Sequence, residues 1–281
     1  MKKTLALLLA ALTCGLAACT DQAAQPSDSS AEQTELIVFA AASLTETLTQ
    51  IAADYHTVAP KVKLIFNFDS SGTLKTQIAQ GAVCDLFLSA GQQQMNALDA
   101  AAEPSANSET LDFVLAGSRV DLLENKVALA VPADNPKAIN SFDTLAARLQ
   151  AGDVLLAMGN SDVPVGQYTQ KIFAYYGLDE TALAAAGCLS YGGNVKEVAM
   201  QVAEGSVDAG VIYATDAASA GLTVADTATA DMCGQVIYPA AIIKSTAHRE
   251  AAQAFLDYLS SDAAMSRFAA AGFSPAANAG G

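Results

Sequence analysis

The stretch ELIVFAAASLTETL, residues 35–48, contains a change of period. Leu36-Ile37-Val38-Phe39 is a continuous apolar run, as in a strand buried on both faces, and Leu44, Leu48 and Ile51 recur at helical spacing. Three alanines and Ser43 stand between the two patterns. Ser43 with Glu46 three residues later reads as a capping box, worth about 1 kcal/mol to the helix. Small residues beside a helix start also leave its first amide N–H groups open to an anion, which the helix dipole favours. A strand passing directly into a helix is the unit of an α/β fold with mostly parallel sheets.

Three further junctions have the same character. In FNFDSSGTLKTQI, residues 66–78, Ser70, Ser71 and Gly72 separate a strand from a helix. In GNSDVPVGQYTQKIF, residues 159–173, a loop rich in turn formers precedes a helix, and the Val165 amide falls in its first turn. In YGGNVKEVAMQVAEGSVDAGVIYATDA, residues 191–217, Asn194 and Glu197 form a second capping box, and Tyr213 ends the following strand. Alone, each junction reads as a helix cap; together they offer hydroxyls and amides and no arginine.

Outward from these, strands are expected at 35–41, 62–68, 84–89, 111–116, 126–131, 154–158, 208–213, 222–226 and 235–243. Helices are expected at 43–57, 72–81, 92–99, 141–150, 166–176, 194–204 and 248–259. No internal sequence repeat is evident. Polar or irregular seams at 116–126 and 239–247 permit two lobes joined by two crossovers, with 35–116 plus 243–281 in lobe 1 and 117–242 in lobe 2. Ligands of open α/β sheets sit outside the carboxyl ends of strands, which here would line a cleft between the lobes.

The chain starts with Lys2, Lys3 and a short apolar run, so residues 1–18 read as a signal peptide. Leu16-Ala17-Ala18-Cys19 resembles a lipobox, with Cys19 the expected lipidation site. Residues 19–34 then form a polar tether, too poor in large apolar side chains to order itself. These features place the protein outside the cytoplasm, held to a membrane only by its lipid. The net charge of −15 argues against nucleic acid as a partner. Of the remaining cysteines, Cys188 and Cys233 are expected to pair in the second lobe, a bond worth roughly 3–4 kcal/mol in an oxidising compartment. A metal-ion site is not expected, because no Cys/His cluster occurs. An exported hydrolase using Ser43 or Ser71 is the competing reading, but neither His56 nor His248 stands near a nucleophile motif.

ELIVFAAASLTETL, FDSSGTLKTQIAQGAVCDLFLSA, VPVGQYTQ and DAGVIYATDA, taken in this order, resemble the periplasmic molybdate-binding proteins of ABC transporters. The resemblance runs from about residue 35 to 275. It implies a two-lobed, type II periplasmic-binding-protein fold, no enzymatic activity, no cofactor, and molybdate or tungstate as ligand in the cleft. It assigns the oxyanion to Ser43, Ser71, Val165, Val195 and Tyr213, with Ser70 the competing register for Ser71. It also implies a membrane permease as partner and a monomeric receptor. Val165 and Cys84 stand where the family commonly has alanine; the first leaves a backbone donor intact. Sulfate or another tetrahedral oxyanion is the alternative ligand.

Overall fold

The computed structural model describes residues 33–277, so the signal peptide and Cys19 lie outside the described residues. The chain begins with β1 (Thr34–Ala41), α1 (Thr45–Val58), β2 (Val62–Asp69), α2 (Ser71–Ala79), β3 (Leu86–Leu88) and α3 (Gln92–Asn96). It continues through β4 (Val120–Asn125), β5 (Val127–Val131), α4 (Phe142–Ala151), β6 (Leu156–Gly159), α5 (Pro164–Tyr176) and α6 (Glu180–Ala185). Next come β7 (Leu189–Gly192), α7 (Val195–Ala203), β8 (Ala209–Tyr213), α8 (Ala214–Ser219), β9 (Thr223–Thr227) and α9 (Ala230–Cys233). The chain closes with β10 (Val236–Ile242), α10 (Arg249–Leu259), α11 (Asp262–Ala270) and β11 (Ser274–Pro275). Thr34, expected in the tether, instead pairs with Val62 at the head of β1.

These elements form two mixed sheets, ordered β11-β4-β10-β3-β1-β2 and β7-β6-β8-β5-β9. Each has a parallel trio, β2-β1-β3 in one and β7-β6-β8 in the other, extended by an antiparallel strand, β10 or β5. The two lobes therefore share one topology although no repeat is visible in the sequence: the pattern depends on periodicity and strand direction, not on residue identity. Asp85 and Asp208 occupy matching places. Asp85 donates its amide to Ile37 O (2.8 Å) and accepts from Ile37 N (2.7 Å). Asp208 does the same with Leu155, at 2.9 and 2.8 Å. Each carboxylate thus satisfies an amide where its sheet begins.

Sheet membership corrects the expected lobe boundaries. β4 and β10 pair with each other, and β10 also pairs with β3, so residues 120–125 and 236–242 belong to the first sheet and not to the second lobe. The chain changes sheets at Lys126 and returns between β9 and β10. The charged residues of VDLLEN obscure a strand whose Leu122 and Leu123 are both buried. The strand expected at 111–116 is reduced to an isolated bridge between Val114 and Ile243. α1 buries Leu48, Ile51 and Tyr55 in the core, with the Tyr55 ring on Phe255 and Tyr258 of α10 at 4.9 Å, each apolar side chain contributing about 1.5–3 kcal/mol. Phe39 faces the other way, onto Leu74 and Ile78 of α2.

The expected Cys188–Cys233 disulfide is not formed. Both are buried free thiols: Cys188 precedes the edge strand β7, whereas Cys233 ends α9, which packs on α5. Being in the same lobe does not bring two side chains within bonding reach.

Candidate functional site

Ser43 lies in a 3-10 turn, Ala42–Leu44, directly after β1. Ser71 opens α2, Val165 is the second residue of α5 after Pro164, and Val195 opens α7. Tyr213 ends β8. All five stand at carboxyl ends of strands or at the helix starts that follow them, and all five line one small cavity. Ala41, Ala42 and Ala90 complete its floor, and among the described residues its lining includes no lysine or arginine. Amides in the first turn of a helix have no intrahelical acceptor, so these helix starts present free donors to the cavity.

The hydroxyls are oriented by their neighbours. Ser71 Oγ accepts from Ala90 N at 2.9 Å, which leaves its own hydrogen free for the cavity. Ser70 is occupied differently: it is the N-cap of α2, accepting from Thr73 N at 3.1 Å. The geometry therefore favours Ser71 over Ser70 as a donor. Ser43 corrects the expected capping box. Its hydroxyl caps nothing and instead lies 3.0 Å from Tyr238 Oη, because the 3-10 turn moves the start of α1 to Thr45. The Asn194 cap does form, accepting from Glu197 N at 3.1 Å, while Glu197 reaches one residue beyond the box geometry and accepts from Gly193 N at 2.6 Å. Tyr213 Oη donates weakly to Ala90 O at 3.4 Å. Burial pushes its phenol well above the ordinary range, so it keeps its proton and acts as a donor.

The two lobes meet around the cavity. Gln94 Nε2 donates to Gln167 Oε1 at 3.0 Å, and Lys196 of α7 reaches Glu46 of α1 at 2.8 Å. A Cβ added to Gly72 would lie 2.0 Å from Asp162 O, so backbone meets backbone across the cleft.

The profile of the family described as bacterial extracellular solute-binding protein matches residues 36–274. The chain belongs to the bacterial extracellular solute-binding proteins. Its relatives include the "Putative ABC transporter substrate-binding lipoprotein YvgL" of Bacillus subtilis, 32% identical over 275 residues, 97% of this chain and 99% of that one. The molybdate-binding protein ModA of Haemophilus influenzae is 32% identical over 248 residues, 87% of this chain and 91% of that one. Among solved structures, the periplasmic molybdate-binding protein of Azotobacter vinelandii superposes with a TM-score of 0.69 at 24% identity, covering 85% of this chain and 98% of that one. The two-lobed α/β architecture is the one shared with these solute-binding proteins.

Sequence reasoning about this solute-binding protein missed Ala90, Tyr238 and Asn125, the partners that orient the serines. Ala90 lies between β3 and α3, Asn125 ends β4 and Tyr238 lies within β10, and only long-range pairing brings them to the site. It also missed Asp216 of α8, which is fully buried with Lys196 Nζ 3.1 Å from its Oδ1. Burial pushes the Asp216 carboxyl up to about 6, against the pull of Lys196. The free carboxyl titrates near ~4, so the native state holds the extra proton between these values. Stability is therefore expected to fall as pH rises from about 4 to 6 and to level off above that range. Thermal unfolding across this range checks it, and Asp216→Asn should flatten the profile. An unchanged slope in Asp216→Asn would assign the titration to another group.

Proposed function

We propose that this solute-binding protein captures molybdate, with tungstate as a second ligand, and passes it to the permease of an ABC transporter. The observation that carries the reading is the convergence of Ser43, Ser71, Val165, Val195 and Tyr213 on one small cavity whose donors are uncharged. A buried dianion must find hydrogen bonds for most of its lone pairs. Three hydroxyls and four first-turn amides can supply them without a counter-ion. The acidic surface does not oppose this, because local dipoles act strongly where water is excluded. The names of the ModA relatives support the same ligand. A serine hydrolase has no support in the family, and the Ser43 hydroxyl faces Tyr238, not a histidine.

Asp69 also lines the cavity, but its Oδ1 already accepts from Ser70 N at 2.7 Å. An acceptor there would serve an oxyanion that carries a proton, such as hydrogen phosphate. Calorimetry with molybdate, tungstate, sulfate and phosphate in turn tests the assignment. Tight binding of molybdate and tungstate with weak sulfate and phosphate is expected; a preference for sulfate or phosphate would transfer the site to that anion.

The proposed setting is the outer side of a membrane, with the protein monomeric and held by a lipid on Cys19. The name of the Bacillus relative supports this anchor. Cys19→Ser is expected to move the protein from the membrane fraction to the soluble fraction. Equal membrane retention of the variant would remove the lipid anchor from the proposal.

A further inference from the structure

A hydrogen-bond chain leads from the cavity to the first crossover. Asn125, the last residue of β4, accepts Lys126 N–H on Oδ1 at 2.8 Å, which fixes the end of its amide that bears Nδ2. Nδ2 donates to Thr215 Oγ1 at 2.9 Å and to Tyr238 Oη at 3.2 Å. Tyr238 Oη lies 3.0 Å from Ser43 Oγ, and both groups are buried. A phenol has one hydrogen. Of the two partners of Tyr238 Oη only Ser43 Oγ can accept, because Asn125 presents Nδ2, so the phenol hydrogen can go to Ser43 Oγ. Ser43 Oγ is then an acceptor on this side, and its own hydrogen is left for the cavity.

We propose that Tyr238 is a positioning residue for oxyanion capture: by donating to Ser43 it commits the Ser43 hydroxyl to donate into the cavity. This rests on the reading of the cavity as an oxyanion site. Ala90 N–H does the same for Ser71, so one donor from each of two separate chain segments sets the two serines alike. Burial holds the Tyr238 phenol protonated, so it keeps a hydrogen to donate. The arrangement suits an anion that has only lone pairs to offer, because the committed serine turns its hydrogen toward the cavity.

The test is a double-mutant cycle on molybdate affinity, measured by calorimetry on the full-length protein. Tyr238→Phe retains the ring, with its edge contacts to Tyr213 (5.7 Å) and Phe273 (5.4 Å). Tyr238→Phe and Ser43→Ala are each expected to weaken binding by about 10-fold, a charge-assisted hydrogen bond lost or misdirected. The double variant should bind no more weakly than Ser43→Ala alone, since Tyr238 acts only through that hydroxyl. Losses that multiply in the double variant would mean a general packing role and would overturn the proposal. So would a Tyr238→Phe protein that binds like wild type. If Tyr238→Phe fails to fold, the same cycle with Asn125→Ala decides by the same criterion. Wild-type protein that binds no tetrahedral oxyanion would overturn the site reading and this proposal with it, whereas tight wild-type binding with multiplying losses overturns the positioning role alone.

Discussion

Gly72→Ala is expected to weaken molybdate binding by roughly 100-fold while leaving the unliganded protein folded. Gly72 is the second residue of α2, and a Cβ there would meet Asp162 O at 2.0 Å and Asp162 C at 2.8 Å. Both are backbone atoms of the loop before α5, so no side-chain rotation relieves the clash. Overpacking costs about 1–3 kcal/mol, and if the lobes open to admit ligand the cost falls on the closed arrangement. In an open form the methyl group would face solvent, and alanine is a better helix former than glycine. The thermal midpoint without ligand should therefore hold or rise, while calorimetry shows the loss of affinity. Affinity within about threefold of wild type, under ~0.7 kcal/mol, would mean that capture does not require the approach of Gly72 to Asp162.

Tyr213→Phe should weaken molybdate by about 10- to 150-fold, from the 1.5–3 kcal/mol typical of a hydrogen bond to a charged group. The phenol is buried and held protonated, and its contact to Ala90 O is long at 3.4 Å, so little fold stability depends on its oxygen. Affinity should fall without a matching fall in the thermal midpoint. Val165→Ala gives the opposite signature. Its amide remains in the first turn of α5, so affinity should stay near wild type, while truncating a fully buried valine lowers the midpoint. A Tyr213→Phe protein that binds as tightly as wild type would remove Tyr213 from the site.

Much of the site was legible because its donors are local in sequence. A strand running into small residues and then a helix displays its first amides whatever the rest of the chain does; this marked the junctions that hold Ser70, Ser71 and Val165, the resemblance added Val195, and the fold lines one cavity with them. The Asn194–Glu197 cap was readable for the same reason: its partners lie three residues apart. The matching Ser43–Glu46 pattern failed although its spacing is identical. A 3-10 turn intervenes, Ser43 turns to Tyr238, and Glu46 crosses the cleft to Lys196. Spacing alone could not distinguish a cap from a turn whose hydroxyl has a better partner elsewhere.

The sequence by itself determined the α/β class, the strand-to-helix junctions and the residues that front them, since periodicity and helix-end chemistry act over a few residues. Tertiary structure alone decided which sheet holds β4 and β10, whether Cys188 meets Cys233, and what orients the serines. The bond from Ser43 to Tyr238 spans 195 residues, and the one from Ser71 to Ala90 depends on the chain's return through β3. Such contacts form only when long-range strand pairing sets the register, and a register is a property of two segments together that neither encodes alone.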